Sequence, residues 1–298
     1  DGKKIAIAGL CLEHDSVGVW DSTNGRKIAT LVGHEAESES IAWSPDSKRL
    51  ASSSADKTVR VWDASTGKVV HTLEGHVGTV EKVAWSPDGT KLASFRDDFR
   101  GLDLESGKVL YKKHKQNVVR LWNAETGESL RVLDGHEGSV TGISWSPDGS
   151  KIASSSADET VRVWEVSSGL ELYVLKGHQG RGPFFSWSPD GERIAVGGKE
   201  NNLSISGAAR GKKIHTLDGL GGKVTRVAWS PDGKRIAAAE GPDLVVRDTG
   251  SWSELQRWKS PPLLVNSSWS PDGTMLAING GKGASALEVT VRLIPGKD

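Results

Sequence analysis

Two stretches of the chain carry histidine, serine and aspartate at matched spacing. His34 precedes Ser52, Ser54 and Asp56, with Trp62 beyond; His136 precedes Ser154, Ser156 and Asp158, with Trp164 beyond. These are the groups of a nucleophilic triad, in which aspartate orients an imidazole that takes the serine proton. A catalytic set is needed once, whereas this set occurs twice, so the recurrence weighs against catalysis. The two serines of each pair lie two residues apart and share one face of a strand, so spacing leaves both open.

The elements that must position these groups come from a repeat. Trp43 to His76 reads WSPDSKRLASSSADKTVRVWDASTGKVVHTLEGH, and Trp145 to His178 is a close copy. Within the first stretch Lys48–Ser54, Thr58–Trp62 and Lys68–Leu73 are short runs rich in Val, Thr and Ser. The second is apolar at every other position, the period of a half-buried strand. Ser-Pro-Asp, Ala-Asp-Lys and Ser-Thr-Gly separate the runs and read as turns. A further strand, such as Thr79–Trp85, precedes each Ser-Pro-Asp. One unit is thus a four-stranded antiparallel meander, strands a to d, and such a sheet needs neighbours to bury its faces.

Gly-His before strand a, Ser-Pro-Asp-Gly before strand b, Asp in the b–c turn and Trp-Asp closing strand c together resemble the WD-repeat β-propeller family, in its bacterial-type Trp-Ser-Pro-Asp-Gly form. The resemblance covers nearly the whole chain. It implies an all-β ring of four-stranded antiparallel blades. It also implies a buried network linking the Gly-His histidine, a strand-b serine, the turn aspartate and the strand-c tryptophan. Those residues are His34, Ser52 or Ser54, Asp56 and Trp62 in one unit, and His136, Ser154 or Ser156, Asp158 and Trp164 in another. Satisfied on every side, such a network fixes the geometry of a blade.

Composition narrows the function classes. The 298 residues hold 38 basic and 38 acidic side chains, so net charge gives no case for nucleic acid or an anionic membrane surface. The single cysteine, Cys11, excludes an internal disulfide and a multi-cysteine metal site. No run of 18 apolar residues exists to span a bilayer. Of the 12 tryptophans, six precede Ser-Pro-Asp and four close strand c, which leaves Trp252 and Trp258 outside the repeat positions and few aromatics to stack on bases.

Counting the turns before strand b gives seven units, at Asp1, Asp46, Asp88, Asp148, Asp190, Asp232 and Asp272. Asp46 to Asp88 is 42 residues but Asp88 to Asp148 is 60, because the third unit holds two c–d hairpins, an eroded one near Leu102–Lys108 and a well-formed one over Val118–Leu133. Either a hairpin is inserted in blade three or an eighth blade has lost its first two strands. The reading is seven blades, with eight as the alternative. Unit one lacks strand a and unit seven lacks strand d, for 28 strands in all. The expectation is one propeller domain over 1–298, a piece of a longer cytoplasmic protein.

Function follows from what packing does not use. With no catalytic, metal or cofactor site in view, the expected role is a scaffold for protein or peptide partners. A small-ligand or hydrolytic propeller is the alternative. Arg181, Phe184 and Phe185 depart most from the strand-a pattern, as Gly-Arg-Gly-Pro-Phe-Phe stands where unit four has Gly-Ser-Val-Thr-Gly-Ile. Arginine beside aromatics suits an interface, so these three are the candidate partner-binding residues. Phe185 falls at a core position and Phe184 toward the channel.

Overall fold

Each Ser-Pro-Asp turn begins a strand by the same device. In the turn at Ser44, the hydroxyl donates to Asp46 Oδ1 at 2.6 Å and accepts from the Arg49 N–H at 2.9 Å. The serine and aspartate thereby close the turn that proline has begun. The pattern recurs at Ser86, Ser146, Ser188, Ser230 and Ser270. Hydrogen bonds from the Ser146 and Ser150 hydroxyls, with the Ser150 N–H, hold the Asp148 carboxyl down at about 2.

The computed structural model describes residues 2–8, 17–96, 117–177, 184–198, 200–259, 264–281 and 287–294. Blade one is β1 (Lys4–Ala8), β2 (Val17–Asp21) and β3 (Lys27–Leu31); blade two is β4 (Ser38–Trp43), β5 (Arg49–Ser54), β6 (Val59–Asp63) and β7 (Val69–Leu73). Blade three is β8 (Val80–Trp85), β9 (Lys91–Arg96), β10 (Val119–Asn123) and β11 (Ser129–Leu133); blade four is β12 (Val140–Trp145), β13 (Lys151–Ser156), β14 (Thr160–Glu165) and β15 (Glu171–Lys176). Blade five is β16 (Phe185–Trp187), β17 (Arg193–Gly197), β18 (Leu203–Gly207) and β19 (Lys213–Leu217); blade six is β20 (Val224–Trp229), β21 (Arg235–Glu240), β22 (Asp243–Asp248) and β23 (Glu254–Lys259). Blade seven is β24 (Leu264–Trp269), β25 (Met275–Gly281) and β26 (Leu287–Leu293). The fold is an all-β, seven-bladed propeller of antiparallel meanders, with no helix among the described residues. The chain forms two compact units, one of Asp1–Asp158 with Trp164–Glu171, the other of Glu159–Val163 with Leu172–Asp298.

The extra length in the third unit is resolved by register. β9 pairs directly with β10, Leu92 opposite Trp122, so the well-formed hairpin completes blade three and the excess is an insertion in its b–c connection. The eroded hairpin falls within residues 97–116, outside the described residues. Twenty-six strands are seen, and the two others expected fall in that stretch. β16 has three residues where β12 has six.

Packing repeats from blade to blade. In blades two to seven the second residue of strand b is an aliphatic side chain with no exposed surface: Leu50, Leu92, Ile152, Ile194, Ile236 and Leu276. Leu50 lies against Val17, Val19 and Leu31 of the blade before it. Ile5, at the same position of β1, is 50% exposed, and β1 has no a strand beside it among the described residues. The tryptophan ending strand a donates its indole N–H to a carbonyl of the preceding strand a: Trp85 to Ala42 O at 3.0 Å, Trp229 to Ser186 O at 3.2 Å, Trp269 to Ala228 O at 3.1 Å. A strand-d side chain reaches the next c–d turn, His71 to Glu125 O and Tyr173 to Ala208 O, each at 2.8 Å. Burial pushes the Tyr173 phenol up to about 12.

Five non-glycine residues, Ser47, Lys57, Glu159, Asn201 and Trp252, take a left-handed backbone. Gly67 and its equivalents Gly25, Gly127, Gly169 and Gly211 end the c–d turn at φ between +66° and +77°, but in blade six the residue there is Trp252, at φ +60°. Its ring stacks on His215 with centroids 4.9 Å apart, and this packing holds it in a conformation that bulky residues avoid. Lys57 in the b–c turn of blade two has φ +74° and an exposed side chain, with no such packing to offset the strain. Lys57→Gly is therefore expected to stabilise the protein by about 0.5 kcal/mol, the left-handed penalty of roughly 1–2 kcal/mol less the entropy lost by glycine. Lys57→Val should lower the melting temperature; thermal unfolding of the two variants checks the sign.

Candidate functional site

The recurrent histidine, serine, aspartate and tryptophan meet inside the blade. In blade two the Trp62 indole Nε1 donates to Ser52 Oγ at 2.7 Å. Ser52 Oγ lies 2.7 Å from His34 Nε2, and His34 Nδ1 lies 2.7 Å from Asp56 Oδ2. Indole can only donate, so Ser52 accepts from it and donates its own proton to Nε2. The imidazole is then neutral, carries its proton on Nδ1 and donates to Asp56. Each proton has one place to go, and the chain ends on a carboxylate that also accepts from the Thr58 hydroxyl and the N–H groups of Thr58 and Glu35.

The electrostatics agree with that direction. Burial lowers the His34 imidazole below its ordinary value, against the pull of Asp56. Burial alone would raise the Asp56 carboxyl, but the bonds from Thr58, His34 and Glu35 together bring it to about 2.

Blade four repeats the geometry, with Trp164 to Ser154 at 2.9 Å, Ser154 to His136 Nε2 at 2.8 Å and His136 Nδ1 to Asp158 at 2.9 Å. The choice between serines is settled in both blades. Ser54 and Ser156 instead donate to Ala36 O and Gly138 O at 2.9 Å and accept the N–H of Asp56 and Asp158 at 3.0 Å, bracing the b–c turn.

Sequence reasoning missed a third network. Trp122 donates to Ser94 Oγ at 2.8 Å, and Ser94 lies 2.7 Å from His76 Nε2. The insertion separates Trp122 from Ser94 by 28 residues instead of 10, which hides the pattern. The surviving signal is that His76 and Ser94 keep the spacing of His34 and Ser52; Asp98, at the Asp56 spacing, falls outside the described residues. Burial, helped by the Arg120 and Arg96 guanidiniums, pushes the His76 imidazole down to about 3.

Blade six replaces the whole set. Register places Leu220 before the blade, Ala238 at the Ser52 position, Glu240 at that of Ser54 and Arg247 opposite Ile236 where tryptophan belongs. Arg247 binds the fully buried Glu240 with two bonds of 3.0 Å, and Arg257 joins Asp243 at 2.8 Å and Glu254 at 2.6 Å. A relay ending on one carboxylate has become an ion-pair cluster.

The candidate interface residues fare differently. Arg181 lies outside the described residues. Phe185 is 4% exposed, as a core position requires, and Phe184 is 6% exposed, with the Arg226 guanidinium 5.6 Å from its ring centroid. The expectation of Phe184 as a side chain open to a partner is corrected: its ring packs against Arg226. Among the described residues, no three His, Cys, Asp or Glu side chains are grouped to hold a metal, and no helix is long and apolar enough to cross a membrane.

A seven-bladed propeller with a tryptophan–serine–histidine–aspartate relay defines a class of repeat protein. The pattern of the WD domain, G-beta repeat family matches residues 25–63, 67–100, 127–165 and 211–247, half of the chain, and the chain belongs to that family. Pre-mRNA-processing factor 19 homolog 2 of Arabidopsis thaliana is 26% identical over 184 residues, covering 52% of this chain and 34% of that protein. Autophagy-related protein 16 of the same plant is 25% identical, covering 53% and 27%. WD repeat-containing protein SL1-17 of Schistosoma mansoni is 28% identical, covering 47% and 40%. The chain thus spans well under half the length of these relatives. In fold it is similar to a chain of the crystal structure of a mitotic checkpoint complex, with TM-score 0.75 over 98% of this chain and 86% of that one, at 21% identity.

Two outcomes are expected of the network. Ser52→Ala leaves the buried Trp62 N–H without an acceptor and should cost about 1–3 kcal/mol. It should move the Trp62 indole proton resonance, which Ser54→Ala should leave in place. With pH the sign is one of acid loss. The unfolded chain protonates a histidine near 6.5, which folded His76 resists down to about 3, so this stability is present above 6.5 and falls as pH drops through that window. Asp56 adds a second loss between 3.8 and about 2. Melting temperature measured against pH should fall from about 6.5 downward, and His76→Gln should flatten the slope between 6.5 and 4 whatever it does to the plateau.

Proposed function

We propose that this chain is a non-catalytic platform for protein partners, presenting peptide- or protein-binding surfaces on the ends of its blades. One observation carries the reading. Ser52 and Ser154 have no exposed surface, and each hydroxyl is held between an indole N–H and an imidazole, so no substrate carbonyl can reach them. The residues with triad chemistry are consumed by the fold. The described turns remain accessible, a–b and c–d turns at one end of each meander, d–a and b–c turns at the other. The fold neighbour was solved within a multiprotein complex, and membership in the WD-repeat family supports the same role. The Trp-Ser-Pro-Asp-Gly turns favour the bacterial type of repeat, where such modules are attached to kinases or NTPases.

The test pairs a binding and a turnover measurement. Tagged protein should retain a defined partner at saturable stoichiometry and show no turnover on a panel of ester, peptide and phosphate substrates. Turnover that disappears in Ser52→Ala or Ser154→Ala would instead establish a hydrolytic propeller.

A further inference from the structure

Between blades five and six, on the side of the a–b and c–d turns, lies a cleft of about 720 Å³. Its charged lining is Arg193, Lys234, Asp190, Asp232 and Asp248, with Gly250 in the c–d turn. Blades two and three show one occupant of the equivalent place. Arg49 in blade two and Arg193 in blade five are equivalent, each giving its N–H to the turn serine at 2.9 Å. Arg49 reaches into the next blade's c–d turn, with Nη1 to Ala124 O and Nη2 to Glu125 Oε2, both 2.9 Å. Glu125 is the second residue after the turn cap, Asn123, which accepts its N–H at 2.8 Å. In blade six the cap is Asp248 and the residue in that place is Gly250, whose N–H it accepts at 3.1 Å. Gly250 has no side chain to meet the arginine as Glu125 does.

The charges left behind are unequal in their commitments. Asp190 accepts from Ser188 and Glu192, Asp232 from Ser230 and Lys234, and Asp248 from Gly250 and Ser251, so all three carboxylates serve their own turns. The Arg193 guanidinium stacks on the Trp229 ring at 4.6 Å, and its nearest carboxylate is Asp190 at 3.7 Å. Lys234 is exposed. An arginine laid on a tryptophan keeps its N–H edge for a planar acceptor, and arginine with tryptophan makes a frequent interface anchor.

We propose that this cleft takes a carboxylate from a partner polypeptide, an acidic side chain presented on a turn as Glu125 is, which pairs with Arg193 and is assisted by Lys234. The proposal rests on the platform reading and names the chemistry of one of its partners.

The probe is a peptide of residues 122–127, Trp-Asn-Ala-Glu-Thr-Gly, against the same peptide with glutamine for glutamate, followed by the Trp229 indole resonance. The glutamate peptide should shift that resonance, and the glutamine peptide or Arg193→Gln should weaken binding at least about tenfold, the loss of one charge-assisted pair. Gly250→Glu tests the geometry in cis. A Cβ there meets only Asp248 Oδ1, at 3.4 Å, an ordinary contact. This variant should close the site to the peptide and raise the melting temperature, and the gain should vanish when Arg193→Gln is added. Equal binding of the two peptides, no binding at all, or an unchanged site in Gly250→Glu overturns the proposal. Free acetate competing as well as the glutamate peptide also overturns it, in favour of a small-anion site. If the cleft fails these tests while the protein still retains partners, the platform reading stands alone.

Discussion

A buried indole N–H must find an acceptor, and that constraint orders a blade of this protein. Trp62 has no exposed surface and can only donate, so Ser52 must accept, His34 must accept from Ser52, and Asp56 must end the series as an ionised carboxylate. These four residues come from strand c, strand b, the loop before strand a and the b–c turn. One relay therefore ties together segments that the meander alone would leave free to shift. The cost of breaking any link is a stranded polar group in a dry interior, larger than the net gain from making one. This asymmetry makes each link of the relay depend on the others.

Blade six shows the same rule from the other side. With leucine in place of the histidine and Ala238 in place of the serine, a tryptophan N–H would have no acceptor. The tryptophan position holds Arg247 instead, and Glu240, fully buried, neutralises it with two bonds. A buried guanidinium without that carboxylate would be costly, as would the carboxylate alone. The two solutions belong to one fold, because each gives the side chain at the tryptophan position an acceptor inside the blade.

Between blades the repeat uses small, regular contacts: the strand-a tryptophan to a neighbouring carbonyl, the strand-d side chain to the next c–d turn. Their regularity consumes most of the aromatic and polar side chains. Features that could serve a partner are therefore to be sought where a periodic contact has lapsed. Gly250 departs from blade three alone, where its counterpart Glu125 holds an arginine. Trp252 is another kind of lapse, where a bulky residue has entered a glycine position and is held there by His215.

Alternation, turn residues and fixed spacing are local properties that survive copying. The repeat, the four-stranded unit, the seven blades and the two complete residue sets were therefore legible in the chain alone. Local pattern could not choose Ser52 over Ser54: two residues two apart share a face, and only the distance to Trp62 and His34 separates them. It could not find the network of blade three, because a relay is defined by proximity across strands and an insertion destroys the spacing without disturbing the pairing of β9 with β10. Nor could it show that the Phe184 ring is covered, since the covering Arg226 stands on another blade. Such choices are made only in the folded protein, where residues far apart in the chain share one interior and compete for the same acceptors.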